Sequence, residues 1–131
     1  MSEYRCPHCS AHLKVCDHIV FAAQRPNGDQ GLMLLHPELG NYHVNYHKNF
    51  TPKEGEMLKF YCPVCHKVLT SNKSDELAHI HMTDDSGKSY EIHFSRIKGE
   101  KSTYKLEGES LEMYGDHSKK YINYFNLSQM K

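Results

Sequence analysis

Two short cysteine motifs are the residues of this chain best suited to chemistry. They read Cys6-Pro-His-Cys9 and Cys62-Pro-Val-Cys65, with two residues between the cysteines of each pair. Thiolates at this spacing can face one metal ion from a tight turn, and two such turns supply four sulfurs. Each proline favours the turn, and nearby backbone amides can donate hydrogen bonds to the sulfurs. The sequence therefore predicts one closed tetrahedral metal site made of these four cysteines.

The expected metal is zinc, with iron as the rival for an all-thiolate tetrahedron. Four protein thiolates would leave the ion no position for water or substrate, so its predicted role is structural. The chain would benefit from such support, because its mean hydropathy is −0.72 and it contains no Trp. Zinc binding contributes on the order of 10–16 kcal/mol to the folding of small zinc peptides. We expect one structural zinc ion per chain.

In both Cys-Pro-x-Cys units the chain resembles the zinc-ribbon and rubredoxin-like families. The resemblance implies two knuckles at the tips of β-hairpins, clamped by one metal ion. The chain departs from the family pattern because 52 residues separate Cys9 from Cys62, where two-knuckle zinc sites commonly span about 15–20. The Gly that often follows each knuckle is replaced by Ser10 and His66. The long gap predicts that residues 14–56 are an insertion between the knuckles.

A second resemblance rests on the downstream sequence. The segment Phe94-Ser-Arg-Ile-Lys-Gly-Glu-Lys-Ser-Thr-Tyr-Lys and the later Tyr114-Gly-Asp-His117 resemble a family of small bacterial zinc-ribbon proteins of uncharacterised function. Together with the knuckles, this resemblance spans most of the chain. It implies a cytosolic metal-binding domain and assigns no activity.

Three other uses of the cysteine motifs remain as alternatives. Cys6-Pro-His-Cys9 also looks like a thioredoxin-like redox motif, but only five residues precede it, where a strand of a βαβ unit should stand. Cys62-Pro-Val-Cys65-His66 matches a haem-attachment pattern, which requires an exported chain. Two disulfides are the third alternative, and a reducing cytosol disfavours them.

Length and charge narrow the class of protein. The 131 residues fit one domain, and 16 acidic side chains balance 16 basic ones. No run of five like charges occurs, so the basic patch of a general nucleic-acid binder is missing. The N-terminal residues lack the apolar core of a signal peptide, and no stretch has transmembrane length. We expect a cytoplasmic protein without a membrane span.

The pattern of apolar and turn residues predicts a mainly β fold, namely a zinc ribbon elaborated with additional β-hairpins and a short C-terminal helix. The predicted strands cover residues 19–23, 32–35, 41–47, 57–61, 77–83, 88–97, 102–106 and 111–114, with turn signals such as Asn27-Gly28 between them. The apolar side of the terminal helix, which could instead be a strand, would comprise Tyr121, Ile122, Tyr124 and Phe125. Residues 1–131 would form a single zinc-ribbon β domain, and no internal repeat is evident.

The hairpin formed by 77–83 and 88–97 carries a second group of metal-ligating residues. Its predicted buried face consists of Ile80, Met82, Tyr90, Ile92 and Phe94. Strand parity then places His79 opposite His93 and His81 opposite Glu91, so that three imidazoles share the other face. Such a group could bind a second metal ion. We favour the alternative that this is a solvated polar face.

The remaining candidate ligands show weaker patterns. Cys16, the fifth cysteine, could be an alternative ligand or a redox-sensitive thiol. No Lys or Arg adjoins it to favour the thiolate, so we predict a small buried residue at the start of a strand. His43 and His47 share one strand face but lie about 13 Å apart at the strand rise, too far to bind one ion.

Three functions are compatible with these residues. The preferred one is a non-enzymatic zinc-binding β domain that acts as a protein-interaction module, through an edge strand or a surface rich in Tyr. The second is binding of RNA or single-stranded nucleic acid, with bases stacked on exposed Tyr and Phe beside Arg96, Lys98, Lys101 and Lys105. Balanced charge argues against affinity for generic nucleic acid. The third is a metal-dependent enzyme that uses the histidine-lined site, but no catalytic motif supports it.

Overall fold

The computed structural model describes residues 2–108 and 110–125, and this part of the chain is mainly β, as predicted. The strands are β1 (Glu3–Arg5), β2 (Lys14–Val15), β3 (His18–Gln24), β4 (Gln30–Leu35), β5 (Val44–Tyr46), β6 (Lys59–Tyr61), β7 (Leu77–Thr83), β8 (Ser89–Ser95), β9 (Thr103–Glu107) and β10 (Ser110–Tyr114). The predicted terminal helix is a 3-10 helix, Ser118–Phe125. Tyr121 and Phe125 are buried on it, whereas the side chains of Ile122 and Tyr124 lie outside the described residues.

The strands form two antiparallel sheets. In the β7 sheet the order is β1-β7-β8-β9-β10. In the β3 sheet the order is β2-β3-β4-β5. Strand β6 lies on the same edge of β3 as β2 and pairs with residues 22–24, which β2 leaves uncovered. The hairpins β3–β4, β7–β8 and β9–β10 each join two consecutive strands of the predicted series.

The main apolar core lies between the two sheets. Strand β3 alternates between buried and half-buried residues, which turns Ile19, Phe21 and Ala23 inward and the residues between them outward. The rings of Phe21, Phe60 and Phe94 have their centroids 5.4–5.5 Å apart. Because Phe60 belongs to β6 and Phe94 to β8, this aromatic group connects the sheets.

The two knuckles, residues 4–13 and 60–69, have the same backbone hydrogen bonds. In the first knuckle, Cys6 N–H donates to Ala11 C=O (3.0 Å), Ser10 N–H to Cys6 C=O (2.9 Å) and Leu13 N–H to Tyr4 C=O (2.8 Å). In the second, the corresponding bonds run from Cys62 N–H to Lys67 C=O (3.1 Å), from His66 N–H to Cys62 C=O (3.0 Å) and from Leu69 N–H to Phe60 C=O (2.8 Å). Each knuckle is therefore a copy of the other at the level of the backbone.

The strands that follow the knuckles are also repeated, because β3-β4-β5 and β7-β8-β9 pair in corresponding registers. The corresponding pairs are Val20–Leu34 with His79–His93, Ala22–Leu32 with His81–Glu91, and Met33–Tyr46 with Ile92–Lys105. Strands β3-β4-β5 of the β3 sheet and strands β7-β8-β9 of the β7 sheet are therefore two copies of one structural repeat, which the sequence does not reveal. Residues 14–56, which were expected to be an insertion, contain β2–β5.

The two repeats exchange their first strands. Strand β1 precedes the first knuckle but pairs with β7, which follows the second knuckle, with Tyr4 opposite Met82. Strand β6 precedes the second knuckle but pairs with β3, which follows the first, with Phe60 opposite Ala23. Each knuckle therefore lies where the chain passes from one sheet to the other, and this brings the two cysteine pairs together.

Candidate metal centre

Each cysteine pair lies on a tight turn that ends in a left-handed residue. Residues 7–9 and 63–65 form the turns, and φ is 63° at Ser10 and 66° at His66. Glycine adopts this backbone conformation without steric cost, which explains physically why it is common after knuckles of this kind. The departure from the family pattern at Ser10 and His66 therefore changes the side chain but leaves the turn intact.

The four predicted ligands converge. The sulfurs of Cys6 and Cys65 are 3.8 Å apart, and those of Cys9 and Cys62 are 3.7 Å apart. All four sulfurs lie within 4.8 Å of one another. Tetrahedral coordination with metal–sulfur bonds of about 2.3 Å requires sulfurs about 3.8 Å apart. The cluster can therefore hold a metal ion, and both knuckles contribute to it equally.

Backbone amides and burial set the chemistry of the sulfurs. The His8 amide lies 3.3 Å from the Cys6 sulfur. The Val64 and Cys65 amides lie 3.3 and 3.4 Å from the Cys62 sulfur. Cys6 and Cys62 are fully buried. Amides that point at thiolate sulfurs spread the negative charge of the ligands and orient them.

Burial and hydrogen bonding shift the pKa values of the two buried thiols, Cys6 and Cys62, in opposite directions. Burial raises the pKa of the Cys6 thiol to about 12. Burial also opposes ionisation of Cys62, but the amides of Cys65 and Val64 and the neighbouring thiols outweigh it and lower the pKa of Cys62 to about 7. A metal ion would favour the thiolate form of every ligand, so ion uptake at this site should release protons.

Cys16 corrects one prediction. It is exposed rather than buried, and it lies between β2 and β3 instead of within a strand. Cys16 and Asp17 both have positive φ, 49° and 63°, and they connect the paired residues Val15 and His18. A two-residue hairpin loop with two left-handed residues turns both side chains towards solvent. Cys16 is also outside the four-cysteine cluster.

The histidine hairpin has the predicted register. His79 lies opposite His93 and His81 lies opposite Glu91. The predicted inner face is buried, with Ile80, Met82, Ile92 and Phe94 at most 9% exposed, and Tyr90 is half-buried.

The prediction that the histidine face is solvated is wrong for His93, which is 0% exposed. The ring of Phe125, on the 3-10 helix, contacts it edge-on at 5.3 Å between centroids, and Ser71 lies beside it. The pattern within the hairpin could not reveal this cover, because both residues lie elsewhere in the sequence.

Three side chains on this covered face form a second cluster of possible metal ligands: His79, Glu91 and His93. A Glu91 carboxylate oxygen is 3.0 Å from His93 Nε2 and 3.7 Å from His79 Nε2. The other ring nitrogen of His93, Nδ1, is 2.8 Å from Ser71 Oγ. Burial lowers the pKa of both histidines, to about 4 for His79, where the neighbouring His93 adds to the effect. Both rings are therefore neutral at pH 7.

A cavity of about 360 Å³ lies between the sheets. Its apolar lining includes Ile19, Met33, Leu35, Ile92 and Phe94. The size falls in the range of small-molecule sites. No local motif predicts this cavity, because its lining comes from both sheets.

The surface differs from the one expected for base stacking. All five Phe are buried, and the eight Tyr with described side chains are buried or half-buried, so the predicted aromatic patch is absent from the described surface. The exposed large apolar side chains are aliphatic instead: Val15, Leu32, Val64 and Val68.

The basic residues proposed for nucleic-acid contact are mostly engaged within the protein. Arg96 is buried and donates to the Leu58 carbonyl at 2.7 Å. Lys98 lies 3.2 Å from a Glu54 carboxylate oxygen, and Lys105 lies over the Tyr90 ring at 4.2 Å. These contacts leave Lys101 as the exposed member of the predicted group.

No family model, curated protein or solved structure matches this chain. The resemblance to zinc-ribbon families therefore rests on the two knuckles. In residues 2–108 and 110–125, no helix has the length and apolar character needed to cross a membrane.

Proposed function

We propose that this protein is a non-enzymatic zinc-binding β domain of zinc-ribbon type that acts as a protein-interaction module. Its structural ion would be held by Cys6, Cys9, Cys62 and Cys65. The observation that carries the proposal is the distance between sulfurs of opposite knuckles, 3.7 and 3.8 Å. These values match the edges of a zinc–thiolate tetrahedron.

The placement of the site supports a structural role for the ion. Each knuckle supplies two ligands, and each stands at a crossing between the two sheets. An ion at this position would be coordinated by both repeats and would hold them together. Four thiolates would fill its coordination sphere, which leaves no open position for catalysis.

The outer face of the β3 sheet is the proposed docking surface. It carries an aliphatic patch made of Val15, Val20, Ala22, Leu32 and Leu34. Val15 and Leu32 are 55% and 52% exposed. On the β7 sheet, the corresponding face is covered by the chain's own 3-10 helix through Tyr121 and Phe125. We therefore propose that the partner is a protein segment that places apolar side chains on the patch, as the 3-10 helix does on the other sheet.

The whole chain is proposed to work as one domain in the cytoplasm. The apolar core is continuous between the sheets, which supports the proposal that the chain is one domain. The five cysteines are all free thiols, and a reducing compartment preserves thiols for metal binding.

Replacement of Cys62 by Ser tests the metal site. We expect wild-type protein to contain one zinc per chain by elemental analysis, and Cys62→Ser to lose the ion and unfold or melt at a much lower temperature. Cys16→Ser is the matched control and should retain both ion and stability, since Cys16 lies outside the cluster. A Cys62→Ser protein with unchanged metal content and melting temperature would remove this site. Iron in place of zinc would correct the identity of the ion.

Replacement of Leu32 by Ser tests the docking surface. Immobilised wild-type protein should retain a specific partner from extracts of the native cell, and Leu32→Ser should retain much less of it. Val64→Ser is the control, because Val64 is 60% exposed but lies on the second knuckle, outside the patch. Equal capture of the partner by Leu32→Ser and Val64→Ser would contradict the assignment of the docking surface to the outer face of the β3 sheet. Tight RNA binding that weakens steeply with added salt would favour the nucleic-acid alternative.

A further inference from the structure

We propose that His79, Glu91 and His93 form a second metal site, distinct from the four-cysteine centre, that binds a divalent transition-metal ion of the zinc class. The three side chains project from the paired strands β7 and β8 on the face opposite the main core. Two imidazole nitrogens and one carboxylate are donors that zinc accepts readily.

The distances fit a single ion. Zinc bonds to nitrogen and oxygen of about 2.0–2.1 Å place neighbouring tetrahedral ligands about 3.3–3.4 Å apart. The Glu91 oxygen lies 3.0 Å from one Nε2 atom and 3.7 Å from the other, which brackets that value. The three ligand atoms lie within 4.8 Å of one another. A rotation of half-exposed Glu91 would equalise the distances. The rings of His79 and His93 are stacked, with 4.5 Å between centroids and 6° between planes, so one ring must also tilt for both lone pairs to meet one ion.

The two imidazole nitrogens nearest Glu91 differ in their hydrogen bonding: Nε2 of His79 has no partner among the described residues, and Nε2 of His93 bonds to the Glu91 carboxylate. The Nε2 atom of His79 is buried and has no hydrogen-bond partner among the described residues. A buried nitrogen without a partner is costly, and metal coordination would satisfy it. At His93, Nε2 lies 3.0 Å from a Glu91 carboxylate oxygen, which can only accept, so Nε2–H donates this hydrogen bond. Nδ1 lies 2.8 Å from Ser71 Oγ, which can donate to it or accept from it. Uptake of an ion would move the ring proton from Nε2 to Nδ1, where Ser71 Oγ would accept it, and would free the Nε2 lone pair for the metal.

The internal repeat supplies an independent argument. In the β3 sheet, the positions that correspond to His79, Glu91 and His93 are Val20, Leu32 and Leu34. The fold therefore places apolar residues at these three positions without difficulty. Two histidines and a carboxylate in the second repeat are not a requirement of the architecture, which favours a chemical role for them.

The connectivity Ser71–His93–Glu91 also resembles a hydrolytic triad, but the geometry disfavours that use. Ser71 is 5% exposed, and its oxygen already accepts the Lys73 amide at 2.9 Å. The cavity between the sheets is not lined by Ser71 or His93. A metal ion needs far less space than an acyl substrate.

Metal stoichiometry on the full chain provides the test. After loading with excess zinc and removal of free ion, wild type should retain two zinc ions per chain, and Glu91→Gln should retain one. If Glu91→Gln fails to fold, His79→Gln serves as the second variant. His81→Gln is the matched control and should retain two, because exposed His81 lies two residues from His79 but outside the cluster.

Cobalt loading separates the two sites. Thiolate-to-cobalt charge-transfer bands report the four-cysteine centre and should be equal in wild type, Glu91→Gln and His81→Gln. Calorimetric titration with zinc should show the second binding event at least about tenfold weaker in Glu91→Gln. A wild-type chain that retains only its thiolate-bound ion would overturn the proposal, as would unchanged second-site affinity in Glu91→Gln. Absence of the thiolate bands would instead contradict the proposed cysteine centre and leave this site standing.

Discussion

Ser10 and His66 show that two turns can share one backbone geometry although their residue types differ. A left-handed conformation costs a residue with a side chain about 1–2 kcal/mol, and both residues adopt it. The turns are nevertheless maintained, because the amide of each residue bonds to the carbonyl of the first cysteine of its pair. Glycine at these positions is thus an optimum for the backbone and not a requirement for placing the sulfurs.

Replacement of His66 by Gly should therefore stabilise the protein. We expect a gain of up to about 1 kcal/mol, because relief of the left-handed strain exceeds the entropic cost of glycine. Chemical denaturation of zinc-loaded protein would measure it. His66→Ala keeps the strain and should show no gain. A lower stability of His66→Gly would mean that the imidazole itself contributes to the knuckle.

At the scale of elements, local patterns identified most strands but not their partners across the sheets. Alternation of apolar residues identified the β7–β8 hairpin and its register, because a slip by one residue would turn the histidines into the apolar core between the sheets. Strands β1 and β2, with three and two residues, are too short to leave a periodic pattern. The cover over His93 also escaped prediction, because a helix 25 or more residues downstream supplies it.

The turn between β7 and β8 provides a prediction about pH. Hydrogen bonds from Ser86, first of all, and then from Lys88 and Tyr90 lower the pKa of Asp84 to about 2, from 3.8. As pH falls, the unfolded chain binds a proton at this residue before the folded chain does. The stability that Asp84 contributes is therefore complete above about pH 4 and is lost towards pH 2.

Asp84→Asn should consequently melt at a lower temperature than wild type at pH 5–7, and the gap should close as the pH approaches 2–3. A metal ion at the cysteine centre would be released by acid in both proteins, so the difference between their melting temperatures reports on Asp84. Thermal melts at matched pH would measure it. A gap that persists unchanged to pH 3 would contradict the lowered pKa.

At the scale of the whole molecule, the exchanged strands make the two repeats mutually dependent. Each sheet contains one strand from the other repeat, β1 in the β7 sheet and β6 in the β3 sheet. The phenylalanines that connect the sheets come from both repeats as well. Unfolding of one repeat would therefore remove an edge strand, two of the four clustered cysteines and part of the core from the other.

We expect a single cooperative transition in urea. Release of metal and loss of tertiary signal from Tyr should share one midpoint, because neither repeat retains a complete sheet alone. Simultaneous measurement with a zinc indicator dye and near-ultraviolet circular dichroism would test this. Separate midpoints would show that one repeat survives without the other.

The exchange of strands also constrains the order of events during synthesis on the ribosome. Cys6 and Cys9 leave the exit tunnel with β1 to β5, well before Cys62, Cys65 and the strands that pair with β1 and β3. Until then the nascent chain carries two thiols without their partner ligands and an edge of β3 that β6 does not yet cover. Such edges invite pairing with the wrong chain. The first half of this protein must therefore wait for the second, and a chaperone would be most useful to it in that interval.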